Sequence, residues 1–202
     1  MAPVSLLCVY LGGVYFFALV FAVFCFSVYE WTRMSMRLNR RWLTAALGLV
    51  YFIPCFSLFI SIRAADHGLS LIILLFILVW ASDIGAYFAG KYLGKTKCAP
   101  KISPNKTWAG VWGGIIVAIL SANLYVFYVL PAYFDVIHIC IMAIVIGFAS
   151  MLGDLLISFI KRQANVKDTG TVIPGHGGVL DRVDSLILAV PAMAYFVFWG
   201  FI

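Results

Sequence analysis

Residues 69–90 read LSLIILLFILVWASDIGAYFAG, and the stretch from Leu69 to Ala81 passes without a charge. A helix needs about 20 consecutive apolar residues to cross a bilayer, whereas barrel strands are shorter and alternate in polarity. This stretch does not alternate, so a spanning helix is expected. Moving outward, the same pattern recurs between clusters of charge. Six spans are expected, over residues 4–29, 43–62, 69–90, 107–131, 136–160 and 183–202. Composition agrees, with 64% hydrophobic residues, 11% charged residues and a mean hydropathy of +1.06. Globular domains are about half apolar and about a quarter charged, and disordered chains are more polar still, so both classes are excluded. The expected fold is all-α: a polytopic transmembrane helix bundle forming one integral membrane domain over residues 1–202. The first segment is expected to be a span rather than a signal peptide. Its start, Met1-Ala2-Pro3-Val4-Ser5, has no basic region, and the apolar stretch that follows is too long. Five scattered cysteines show no metal spacing and no disulfide framework.

Orientation follows from the bases. Arg33, Arg37, Arg40 and Arg41 lie between the first two spans, and Lys91, Lys95, Lys97, Lys101 and Lys106 between the third and fourth. Lys161, Arg162, Lys167 and Arg182 lie between the fifth and sixth, which leaves only Arg63 elsewhere. The positive-inside rule then places these loops in the cytoplasm and both termini on the far side of a cell membrane. The first arginine group flanks Trp31 and Trp42 as a juxtamembrane anchor, and its spacing suits a helix lying in the interface.

Among the acids, Glu30, Asp66 and Asp135 sit at expected span ends, where solvation is easy. Asp83 and Asp154 instead follow long apolar runs. A charge there faces a cavity or substrate, or forms an ion pair with a neighbouring helix, and position alone leaves both readings open. Ser158 and Lys161 follow Asp154 at i+4 and i+7, on one helix face. Asp181, Asp184 and Ser185 share a face if the last helix begins near Leu180. The intervening loop can then return to the helix it left and gather Asp154, Asp181 and Asp184. Converging carboxylates need cations, and an oxygen-only set suits Mg²⁺, with one or two ions expected. Lys161, Arg162, Lys167 and Arg182 suit phosphate oxygens. Gly175, Gly177 and Gly178 permit positive φ or close backbone approach. A second segment, Ser103-Pro104-Asn105-Lys106-Thr107, precedes a span. Asn105 or Thr107 can cap that helix, whose N-terminus with Lys106 makes either an anion site or an ordinary cap with an anchoring lysine.

From Ser158 to Asp184 the chain reads S-F-I-K-R-x4-K-D-x-G-x2-I-P-x-H-G-G-V-x-D-R-V-D. This resembles the full signature of the phosphatidate cytidylyltransferases, or CDP-diacylglycerol synthases. Gly153-Asp154-Leu155, Ser82-Asp83 with Ala86-Tyr87 and Gly90, and Ser103 to Thr107 resemble the family's other motifs, so the likeness spans roughly residues 80–190. Two positions depart from it, Ala109 and Ile157, where members often carry Glu. The chain is expected to be shorter than the usual bacterial member at its N-terminal end. The resemblance implies that CTP and phosphatidic acid give CDP-diacylglycerol and pyrophosphate in phospholipid biosynthesis, at a site facing the cytoplasm. It implies catalytic roles for Asp154, Lys167, Asp168, His176, Asp181 and Asp184. Substrate-phosphate roles are implied for Asp83, Ser103, Asn105, Lys106, Thr107, Ser158, Lys161, Arg162 and Arg182. The metal set is Asp154, Asp181 and Asp184. His176 either donates to a phosphate or orders its loop. No general base is required, because a phosphatidate phosphate is already ionised near neutral pH.

Two rival readings are an ether-lipid cytidylyltransferase and a cation transporter or channel. The second predicts an acidic pathway across the bilayer, whereas most acids here cluster among phosphate-type bases. The expected partners are CTP, phosphatidic acid and the bilayer, with no nucleic acid. Gly12-Gly13 and Gly110, Gly113 and Gly114 permit close helix contacts within the chain or in a homodimer.

Overall fold

The computed structural model describes residues 2–130, 135–170, 172 and 177–200. Among them run α1 (Ala2–Leu11), α2 (Gly13–Ser35), α3 (Arg41–Ala64), α4 (Gly68–Leu93), β1 (Lys97–Ala99) and β2 (Ser103–Thr107). α5 (Trp108–Val129), α6 (Val136–Gln163), α7 (Leu180–Tyr195) and a π-helical turn at Phe196–Gly200 follow. Six helical stretches are long and apolar enough to cross a membrane: α2 to α6, and Leu180–Trp199. The protein is an all-α, multi-pass membrane protein. A short hairpin is the one departure from pure helix among the described residues: β1 and β2 pair antiparallel, Lys97 with Thr107 and Ala99 with Ser103.

The chain divides into two compact units, Met1–Leu69 with Ile160–Val183 and Ser70–Phe159 with Asp184–Ile202. In the first unit, the expected single span over residues 4–29 is two helices. Gly12 at φ 67° and Gly13 at φ 49° break the ladder, a conformation open to glycine because it has no Cβ. In an unbroken helix the Val9 carbonyl would accept from residue 13. Here it accepts from Arg63 Nε at 3.2 Å. Arg63, the one base outside the three basic loops, thus closes the break. α2 packs on α3 through Trp31, whose ring lies 5.5 Å from Phe52 and whose indole N–H donates to the Thr44 carbonyl at 2.9 Å. Gly48 leaves the space that ring fills.

Two expectations change here. Trp31 is 7% exposed and belongs to the core, so Trp42, 69% exposed with the Arg41 guanidinium over its ring, is the interfacial aromatic. The arginine segment forms no separate interfacial helix, because α2 runs through Arg33 to Ser35 and a turn joins it to α3 at Arg41.

In the second unit, α4 is apolar on every side, and Leu71, Ile72, Leu74, Leu75 and Leu78 are wholly buried. Its lower half meets α5 along small residues. A Cβ on Gly85 would lie 2.8 Å from the Gly113 carbonyl, and one on Gly114 would lie 2.6 Å from that of Ser82. The glycines of α5 therefore serve contact within the chain.

Candidate active site

In the second unit, Thr107 ends β2 in an extended conformation and caps α5, its hydroxyl accepting from the Gly110 amide at 3.1 Å. Of the two expected caps, Thr107 is the one formed. The strand turns the preceding residue, Lys106, toward α6. Lys106 Nζ lies 2.7 Å from Asp154 Oδ2 and donates to the Met151 carbonyl at 3.2 Å. The other carboxylate oxygen of Asp154 accepts from Ser158 at 3.0 Å, the i+4 relation on one helix face. Asp83 is exposed on α4, next to Ser82, whose carbonyl faces Gly114 of α5. α6 and α7 touch at Gly153, where a Cβ would sit 2.5 Å from the Asp184 carbonyl. Asp184 Oδ1 accepts from the next residue's amide, that of Ser185, at 2.8 Å. Ser103 is half-buried at the start of β2 and Asn105 is exposed on it.

In the first unit, the loop after α6 returns to the helix it left, as its composition suggested. Lys161 Nζ, on α6, lies 2.7 Å from Asp181 Oδ1, on α7, with both side chains nearly buried. Asp181 Oδ2 accepts from the amides of Thr169 at 2.9 Å and Gly178 at 3.2 Å. Gly177 takes φ 85°, so the glycine run does supply a left-handed residue. Arg162, Lys167, Asp168 and Arg182 are exposed. His176 and Gly175 lie outside the described residues. Asp181 thus acts as a loop-ordering acceptor.

Among the described residues, no three of His, Cys, Asp and Glu gather in a cluster able to hold a metal. The second unit nonetheless carries donors of the right chemistry. Asp154 is half-buried and Asp184 lies on the helix touching its own. Mg²⁺ is commonly held by one or two carboxylates, the rest of its shell coming from water and substrate phosphates. Both carboxylates are oxygen donors of the kind the ion takes, and Asp154 is already held by Lys106 and Ser158.

Glu30 is the residue that sequence reasoning misplaced. It is the chain's only glutamate and was expected to be solvated at a span end, yet it is 0% exposed. Its Oε2 accepts from the Thr169 hydroxyl at 2.8 Å and the Leu180 amide at 2.9 Å, and Oε1 from the Val179 amide at 3.0 Å. α7 begins after an apolar residue, Val179, which cannot cap its free amides. A carboxylate from α2 does so instead. Asp66 and Asp135 are exposed, as expected.

The model of the cytidylyltransferase family matches residues 35–199. The chain belongs to the cytidylyltransferase family. Curated relatives include the phosphatidate cytidylyltransferase of Haemophilus influenzae, 48% identical over 66% of this chain and 47% of that protein. Those of Pseudomonas aeruginosa and Bacillus subtilis are 40% and 42% identical, over 79% and 74% of this chain and 60% and 55% of those proteins. The chain therefore spans about half the length of the curated relatives it matches. In this chain Ile157 is 1% exposed on α6, so the departure from Glu there is met by burial. Only the absence of a capping residue at Val179 hinted at Glu30, whose partners lie 139 to 150 residues away.

Proposed function

We propose that the chain transfers a cytidylyl group from CTP to phosphatidic acid, giving CDP-diacylglycerol and pyrophosphate. The observation that carries this reading is the half-buried Lys106–Asp154 pair with Ser158 bonded to it, a charged cluster in a unit whose helices are otherwise apolar enough to span a membrane. Membership of the family, and relatives named phosphatidate cytidylyltransferase, support it.

A phosphate oxygen of the lipid attacks the α-phosphorus of CTP and forms a new P–O bond. The bond from that phosphorus to the bridging oxygen breaks, and pyrophosphate leaves with the electron pair. Both reactants are anionic, so the protein's task is positioning and neutralisation. Asp154 and Asp184 would hold Mg²⁺, which when bound supplies charge neutralisation to the triphosphate. Lys106, fixed by Asp154, is the positive group held at this carboxylate in the second unit. In the first unit, Arg162, Lys167 and Arg182 are read as phosphate clamps, with Lys161 and Asp181 fixing their loop. Asp168 and His176 belong to that loop, and Ser103 and Asn105 to the nucleotide side of Lys106. We read residues 1–202 as one functional domain in a bacterial inner membrane. By the positive-inside rule, the basic loops and the site face the cytoplasm and the termini do not.

The test is incorporation of labelled CTP into lipid by purified protein in detergent with phosphatidate and Mg²⁺. The expected result is labelled CDP-diacylglycerol with matching release of pyrophosphate. A well-folded protein that releases no pyrophosphate and labels no lipid would sink the reading.

A further inference from the structure

A carboxylate wholly removed from water is costly unless its lone pairs are matched by donors. Glu30 has three, and they come from both ends of one loop. Thr169 lies at the start of that loop, beside Lys167 and Asp168. Val179 and Leu180 lie at its end, beside Asp181 and Arg182. The loop is shaped to admit the carboxylate, since a Cβ on Gly170 would lie 2.5 Å from Glu30 Oε1 and one on Gly178 the same distance from Oε2. Thr169 is held twice, its hydroxyl by Glu30 and its amide by Asp181. The free amides of a helix N-terminus also favour a negative charge at this point.

We infer that Glu30 is a positioning residue for the cytidylyl transfer: from α2, it clamps the two ends of the 169–180 segment and so sets the spacing of Lys167 and Asp168 relative to Asp181 and Arg182. This rests on the function proposed above. The carboxylate touches no substrate. Its effect passes through the backbone of Thr169, Val179 and Leu180. Gln in its place has one carbonyl oxygen for donors that now approach two oxygens, so its NH₂ group must face an N–H or O–H. In either orientation that N–H is the Val179 or the Leu180 amide, so the hold on the α7 end of the loop is weakened.

Three variants of the full chain test this in detergent: Glu30→Gln, Glu30→Asp and the milder Thr169→Val, which leaves the carboxylate two backbone donors. Turnover, KM for CTP, thermal midpoint and amide hydrogen exchange are read for each. The expected result for folded Glu30→Gln is a fall in kcat of about tenfold or more, since small misplacements of reacting groups are that costly. It is accompanied by faster exchange at Val179 and Leu180, with the spanning helices unchanged. Glu30→Asp recovers part of the turnover, and Thr169→Val loses less than Glu30→Gln with a midpoint close to wild type. Wild-type kcat in folded Glu30→Gln and Thr169→Val overturns the role. So does a loss that tracks a lowered midpoint while exchange rises equally in every helix. A wild-type protein that is itself inactive overturns the proposed reaction and the positioning role with it, whereas active wild type with active variants overturns the role alone.

Discussion

Lys106 on β2 and Asp154 on α6 form an ion pair of 2.7 Å, with side chains 23% and 32% exposed. The pair is open enough to meet a ligand and enclosed enough to be weakly screened. If both groups serve one step, Lys106→Met and Asp154→Asn each lower turnover by about 100-fold, and the double variant is no worse than the more damaging single one, because groups acting as a unit are not additive. Label transfer from CTP measures this. Additive losses would show that the two act separately.

Asp181 and Lys161 are 11% and 12% exposed, so removing one partner leaves the other nearly buried and unpaired. Asp181→Asn is expected to destabilise the first unit by about 3 kcal/mol. Lys161→Met is expected to cost less, because Asp181 keeps the amides of Thr169 and Gly178. Thermal unfolding in detergent gives the order of the two.

The seam between α4 and α5 leaves no room for side chains at its glycines. Gly114→Ala places a methyl against the Ser82 carbonyl and is expected to cost about 1–3 kcal/mol by overpacking. Gly114→Leu should prevent recovery of folded protein from the membrane. A midpoint for Gly114→Ala equal to wild type would contradict the packing.

Gly12 combines φ 67° with ψ −156°, a region closed to other residues, and Arg63 Nη2 would lie 2.8 Å from an added Cβ. Gly12→Ala is expected to cost about 1–3 kcal/mol in backbone strain. Among the described residues an added Cβ meets Arg63 alone, which is assigned no part in the chemistry, so turnover per folded molecule should match wild type. The thermal midpoint and the specific activity check the two halves of this statement.

Several parts of the site were legible because their causes are local. Thr107 caps α5 through an amide three residues on, and Ser158 meets Asp154 one helical turn away. A helix start near Leu180 was the condition on which the loop was expected to return to α6 and gather Asp154, Asp181 and Asp184; α7 does start there, and the loop returns to Lys161. Others had no local mark. Lys106 was read as an anion-binding or anchoring lysine, and its carboxylate partner lies 48 residues away. Trp31 looked like an interfacial aromatic until Gly48 and Phe52 were seen to enclose it.

What the sequence determined by itself is the number of helices able to span a membrane and the family. The bilayer demands about 20 apolar residues per helix, and that demand is written along the chain wherever it is met. The family signature is likewise a contiguous run. What only the tertiary structure decided is which charges are paired. Glu30 and Arg63 sit at span ends with nothing nearby in sequence to separate a solvated charge from a buried clamp. The helix break that leaves Val9 its free carbonyl, and the apolar Val179 that leaves α7 uncapped, create vacancies that distant side chains fill. A buried polar group must find a donor or acceptor somewhere, and packing alone selects the partner.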